Sequence, residues 1–181
     1  METKNIKSIK ERIKEYFFEN PSARLRVRQI ERAVNVPLPS VIRYTKELEK
    51  EEILESTKIA GVKLFLANRV SENYKIEKKY YNLKKIQISG LVKFLREEFS
   101  NPVIVLFGSF AKAEDIEKSD IDIYIETQKK EKFNLDKFEG LLNKTIQIFN
   151  FSNIKKIPNK HLANNIINGI VLNGFLEVLN D

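Results

Sequence analysis

The sequence predicts an α+β protein in two parts: a basic first half of helices closed by a β-hairpin, then a small mixed sheet flanked by helices. Three observations predict it. Charge is uneven, with 22 basic against 14 acidic residues in positions 1–100 and 10 against 11 in 101–181, within an overall +7. Apolar residues recur at helical spacing as far as Leu48, after which two strand-like runs follow. Further on, a β-branched run over residues 102–107 stops at Gly108-Ser109, and a strictly alternating segment occupies residues 120–126. A length of 181 residues suits one domain or two small ones, and the charge asymmetry favours two. The expected parts are residues 1–70, a helical connector at 71–89, and residues 90–181.

Ile6, Ile9, Ile13 and Phe17 lie among Lys and Glu at helical spacing, which predicts an amphipathic helix ending near Asn20-Pro21. A second short helix carries Val27, Ile30 and Val34. The chain breaks at Asn35-Val36-Pro37, and Pro39 suits the first turn of a third helix containing Val41, Tyr44, Thr45 and Leu48. Three helices with a tight second connection suggest a helix-turn-helix. Residues 53–59 and 62–67 then read as strands joined at Ala60-Gly61, a hairpin that would form a wing.

Residues 35–54 resemble the turn, recognition helix and first wing strand of winged helix-turn-helix regulators. In that family the recognition helix enters the major groove and the wing touches the DNA backbone. The resemblance implies Ser40, Arg43 and Tyr44 as groove residues, with Lys58 and Lys63 on the wing for phosphates. Arg24, Arg26 and Arg28 add positive charge ahead of the helix, whereas Glu47, Glu49, Glu51 and Glu52 repel DNA at its far end. Protein docking stays open beside DNA binding, since winged helices serve both purposes. Paired half-sites make a homodimer the expected DNA-binding form.

The connector is basic and aromatic from Asn73 to Tyr81, with Lys78-Lys79-Tyr80-Tyr81 and then Lys84-Lys85. Stacking on single-stranded nucleic acid is one reading, and helix faces used in packing are the other. Leu83, Ile86, Leu91, Phe94, Leu95 and Phe99 extend the helical spacing, so one helix is expected to run into the second part.

In that second part, a strand ending in Gly108-Ser109 lets backbone amides approach an anion, and the helix start that follows adds its positive dipole end. Residues 114–119 form an acid-rich loop, read as solvated. Strand alternation then puts Asp120 and Asp122 on one face and Ile121, Ile123 and Ile125 on the other. Same-face neighbours on a strand lie about 6 to 7 Å apart at the backbone, so their oxygens can converge on hard cations such as Mg²⁺.

The order strand, Gly108-Ser109, short helix, loop, Asp120-Ile121-Asp122 resembles the nucleotidyltransferase fold of the DNA polymerase β type, and in particular its minimal branch. Residues 141–148 resemble the following helix end and third strand, and residues 168–174 the closing segment, so the likeness covers roughly residues 82–181. It implies Asp120 and Asp122 as catalytic and metal-holding residues, with Mg²⁺ or Mn²⁺ as the metal and ATP or another NTP as ligand or substrate. Gly108 and Ser109 would meet the triphosphate, and Lys112 or Lys144 would balance its charge. Members with this spacing include antitoxins that adenylylate HEPN toxins, which implies a protein partner of HEPN type.

Two departures from the family pattern matter. Ala113 stands where the family has Gly, a mild change if φ there is negative. More seriously, the third carboxylate falls on Gln147, an uncharged amide that is a poor base and a poor ligand for a hard metal. Glu126 lies four residues beyond Asp122, about 13 Å at strand rise, too far to replace it. The expected protein is therefore a DNA-binding chain with a Mg-NTP domain whose nucleotidyl transfer is weak or lost, and an active antitoxin-like transferase is the alternative.

Composition closes other routes. With no cysteine, disulfides and thiolate zinc sites are excluded. The single histidine, His161, reads as a surface or capping residue near a helix start. No apolar stretch approaches membrane-spanning length and no signal-peptide pattern opens the sequence, so a cytoplasmic protein without a membrane partner is expected.

Overall fold

The structure, a computed structural model, describes residues 7–129 and 133–179. Ile6, counted above on the first helical stripe, lies outside the described residues. The chain divides into two compact units, Met1–Lys78 and Lys79–Asp181.

The N-terminal unit begins with α1 (Ile9–Glu19), opened by a capping box in which Ser8 and Glu11 satisfy each other's backbone amides. Its buried face carries Ile13, Phe17 and Phe18. Next come α2 (Val27–Val34), which ends at Asn35 in the left-handed conformation, and α3 (Leu38–Lys50), with proline in its first turn. Ile30 and Val34 of α2 and Val41, Thr45 and Leu48 of α3 are buried, so the apolar spacing read from the sequence is the packing stripe. The Thr45 hydroxyl donates to the Val41 carbonyl at 2.7 Å, which removes the cost of burying it.

Strands β1 (Leu54–Ile59) and β2 (Val62–Ala67) pair antiparallel, with Ile59 opposite Val62. Both turn residues have positive φ, 48° at Ala60 and 77° at Gly61, as a two-residue turn matched to strand twist requires. Leu25 adds an isolated antiparallel bridge to Phe65, a contact with no periodic signal in the sequence.

Helix α4 (Glu72–Ser89) ends before Gly90, where φ is 78°, and α5 (Leu91–Glu98) starts anew. The single continuous helix expected through Phe99 is therefore two, because glycine takes up a turn that breaks the helical path.

The C-terminal unit is built on a four-stranded sheet in the order β5, β4, β3, β6. Strand β3 (Ile104–Phe107) is antiparallel to both β4 (Ile121–Glu126) and β6 (Ile170–Asn173), while β4 runs parallel to β5 (Ile146–Phe151). The parallel step needs a crossover, supplied by α7 (Asp136–Leu142). A short α6 (Gly108–Ala111) joins β3 to the loop before β4, and α8 (Lys160–Ile167) precedes β6.

Both faces of the sheet are covered. Ile104, Leu106, Ile121, Ile123 and Ile125 pack with Leu91, Leu95, Phe138 and Leu142, residues of α5 and α7. Val105, Phe107 and Tyr124 pack on the other face with Ile154, Ile157 and Ile166. All four residues of β3 are buried, which explains why its sequence is continuously apolar rather than alternating. No described helix is long and apolar enough to cross a membrane.

Candidate nucleotide and metal site

Strand register assembles the site. Phe107, the last residue of β3, pairs with Asp122, so the turn that begins at Gly108 starts beside the Asp122 carboxylate. Gly108 has φ +73°, and a Cβ built there would lie 2.2 Å from Asp122 Oδ2. Glycine is thus required twice, by backbone conformation and by the close carboxylate. The first-turn amides of α6 have no intrahelical acceptors, which leaves Gly108 and half-buried Ser109 able to donate to an anion. Lys112 caps this short helix and is exposed.

Asp120 is exposed just ahead of β4, and Asp122 is half-buried within it. Burial, and then the negative charge of Asp120, push the Asp122 carboxyl above its ordinary range. A bound cation would relieve both effects. Among the described residues no group of three or more His, Cys, Asp and Glu converges to hold a metal. Asp122 against the Gly108 turn, with Asp120 near enough to bear on its charge, fits Mg²⁺ nonetheless, because that ion takes one or two carboxylates and fills its shell with phosphate oxygens and water.

On the other side of Asp122, Gln147 is its direct partner in the parallel β4 and β5 register. Paired residues of parallel strands point to the same face with backbones about 4.8 Å apart, so the exposed Gln147 amide adjoins the Asp122 carboxylate. Glu126 is engaged elsewhere, accepting from the buried Tyr124 hydroxyl at 3.0 Å. Burial, reinforced by Glu126, keeps that phenol protonated well above its usual range.

The loop between the two halves of the site differs from expectation. Asp115, read as solvated, is 2 % exposed. Its Oδ1 accepts from Asn82 Nδ2 at 2.9 Å, and its Oδ2 lies 3.5 Å from Lys144 Nζ. The Lys144 ammonium also donates to the carbonyls of Ile116 at 2.7 Å and Ser119 at 3.3 Å. The sequence weighs Asp115 only with Glu114 and Glu117, as loop acids that could swing into the site or stay solvated, and it does not single out Asn82. Asn82 had a usable signal, as a polar residue four positions before Ile86 on the buried stripe of α4. Asp115 had none, standing among acids that are solvated.

Ala113 has φ +59°, so the change from glycine is strained rather than mild. His161 is exposed in the first turn of α8, and the cap itself is Asn159, whose side chain accepts from the His161 and Leu162 amides.

In the N-terminal unit, Ser40, Arg43 and Tyr44 lie along α3. Arg43 is strongly exposed, stacks 5.2 Å from the Tyr44 ring centre, and pairs with Glu47 at 2.9 Å. On the hairpin, Lys58 and Lys63 are directly opposite each other. Lys63 bonds Glu49 at 3.0 Å and lies over the Phe65 ring, whereas Lys58 is exposed with no ion-pair partner among the described residues.

Residues 89–174 match the family model described as Polymerase beta, Nucleotidyltransferase. The matched segment spans the whole four-stranded sheet with Gly108, Asp120 and Asp122, so the C-terminal unit carries a nucleotidyltransferase-type domain. No curated protein matches the chain, and no solved structure does.

Proposed function

We propose that this protein is a cytoplasmic winged-helix DNA-binding protein whose nucleotidyltransferase-type domain binds Mg-NTP, ATP foremost, with weak or lost nucleotidyl transfer. The observation that carries the reading is the pairing of Gln147 with Asp122. The amide stands where a third carboxylate would activate a nucleophile, while the half of the site suited to the triphosphate is complete. Asp120 and Asp122 hold the metal, the Gly108 and Ser109 amides meet the phosphates, and Lys112 offsets their charge. A metal held by Asp120 and Asp122 would supply positive charge to offset the negative charge of the phosphate oxygens.

For DNA, the three helices and hairpin of the N-terminal unit support a winged-helix reading, with Ser40, Arg43 and Tyr44 toward the groove and Lys58 and Lys63 toward phosphates. The unit would act as a homodimer on paired half-sites. Lys58 and Lys63 are opposite each other in the hairpin register, with Lys63 answered by Glu49 and Lys58 exposed on the same turn-proximal end. Arg43 and Lys63 must exchange their carboxylate partners for phosphate, so binding should weaken steeply with salt. Arg43→Ala is expected to weaken duplex binding about tenfold, the effect of roughly one charged contact.

The intact Gly108 and Asp122 half favours one alternative, an antitoxin-like enzyme that joins AMP from ATP to a protein hydroxyl, such as that of a HEPN-type partner, and releases pyrophosphate. Incubation with labelled ATP, Mg²⁺ or Mn²⁺ and cell lysate separates the two. Binding without label transfer, abolished by Asp122→Asn, supports the ligand reading, and transferred label that Asp122→Asn removes supports the enzyme. Absence of metal-dependent ATP binding would overturn both.

A further inference from the structure

We propose that Lys144 is a positioning residue of the nucleotide site, holding with Asp115 and Asn82 the segment that ends in Asp120, and that it is not a phosphate ligand. The functional half of this inference rests on the Mg-NTP reading above. The geometry is that of an internal cation. Lys144 Nζ reaches the Ile116, Ser119 and Glu117 carbonyls at 2.7, 3.3 and 3.5 Å and the Asp115 carboxylate at 3.5 Å. Its side chain is only 11 % exposed, and that of Asp115 3 %. An ammonium has three hydrogens, and four oxygens of one turn already surround it. Little donor capacity is left for a triphosphate.

Asn82 extends the arrangement to the other half of the site. Its amide nitrogen donates to Asp115 Oδ1 and to the Phe110 carbonyl, both at 2.9 Å. Phe110 belongs to the turn that starts at Gly108, so a single amide ties that turn to the carboxylate that Lys144 neutralises. The turn itself closes through the Ser119 amide to the Ile116 carbonyl at 3.1 Å and the Ile116 amide to Ser119 Oγ at 2.9 Å. Asp120 follows directly and is exposed, and the amide of the next residue, Ile121, donates to the carbonyl of Thr145, the neighbour of Lys144, at 2.9 Å. Asp122, by contrast, is placed by strand pairing on both sides. Lys144 should therefore govern Asp120 and spare Asp122.

The test uses the full chain with Lys144→Met, Lys144→Arg and Asn82→Ala, and reads hydrogen exchange over residues 114–121 together with ATP affinity with and without Mg²⁺. Lys144→Met is expected to speed exchange in that segment about tenfold while β3 and β5 keep their protection. It should weaken Mg-ATP binding about tenfold and leave metal-free ATP binding unchanged. Adding Asp120→Asn to Lys144→Met should then cost little more, and Lys144→Arg should recover part of the loss. Should Lys144→Met fail to fold, Asn82→Ala carries the test, with faster exchange in the same segment. Unchanged exchange in the folded variant, or an equal loss of ATP affinity without metal, would overturn the proposal. If the wild-type chain binds no Mg-ATP, the Mg-NTP reading falls, and the exchange result alone decides whether Lys144 orders the segment.

Discussion

Asp115 and Asp122 stand at two ends of one short stretch of chain and meet opposite fates. Asp115 is buried against an ammonium and an amide. Asp122 is half-buried against the charge of Asp120, with burial raising its carboxyl above the ordinary range. Of the two, Asp115 has a counter-charge, Lys144, whereas Asp122 has none among the described residues. The difference teaches how to read a carboxylate: one answered internally organises the fold, and one held beside a like charge is the candidate for function.

The comparison can be broken most forcefully at Asp115. Asp115→Ala strands the Lys144 ammonium among carbonyls, and removing one partner of a buried pair should lower stability by about 3 kcal/mol in urea unfolding. A loss near zero would mean that the pair is solvated and the contrast false. Gly108→Ala is expected to cost about 2 kcal/mol, combining left-handed backbone strain with a Cβ placed 2.2 Å from Asp122 Oδ2. The same variant should lose Mg-ATP binding, checked by calorimetry, because the carboxylate must swing aside.

Asp122→Asn sharpens the contrast through its sign. A carboxyl raised in the folded state costs no stability below its ordinary value of 3.8, and the cost develops as pH rises through the folded pKa. Without metal, the asparagine variant should therefore melt above wild type at neutral pH, with the gap closing in acid. Mg-ATP should reverse the order by stabilising only wild type, which thermal shift would show. The smallest effect is expected at Ala113. Replacing it with glycine relieves about 1 to 2 kcal/mol of left-handed strain and gives up about 0.8 kcal/mol of buried methyl, a net gain of about 0.2 to 1.2 kcal/mol, read by urea unfolding.

Elements with a repeating signal were legible from the residues alone. The alternation of Asp120, Asp122 and the three isoleucines reports a strand because side chains alternate across a sheet, and Ile13 with Phe17 report a helix because four residues make about one turn. The site aspartates and Gln147 could be named for the same reason, being set by local spacing and by a resemblance carried on contiguous motifs. Tertiary structure alone decided which carboxylate is buried and that Lys144 turns toward residues 115–119, whereas the helix break at Gly90 follows from a glycine already present in the sequence. The Asp115 and Lys144 contacts depend on partners far along the chain, Asn82 for Asp115 at 33 residues' distance and Ile116 for Lys144 at 28. Local periodicity carries no record of such contacts, because burial and charge pairing are properties of the packed neighbourhood rather than of the residue.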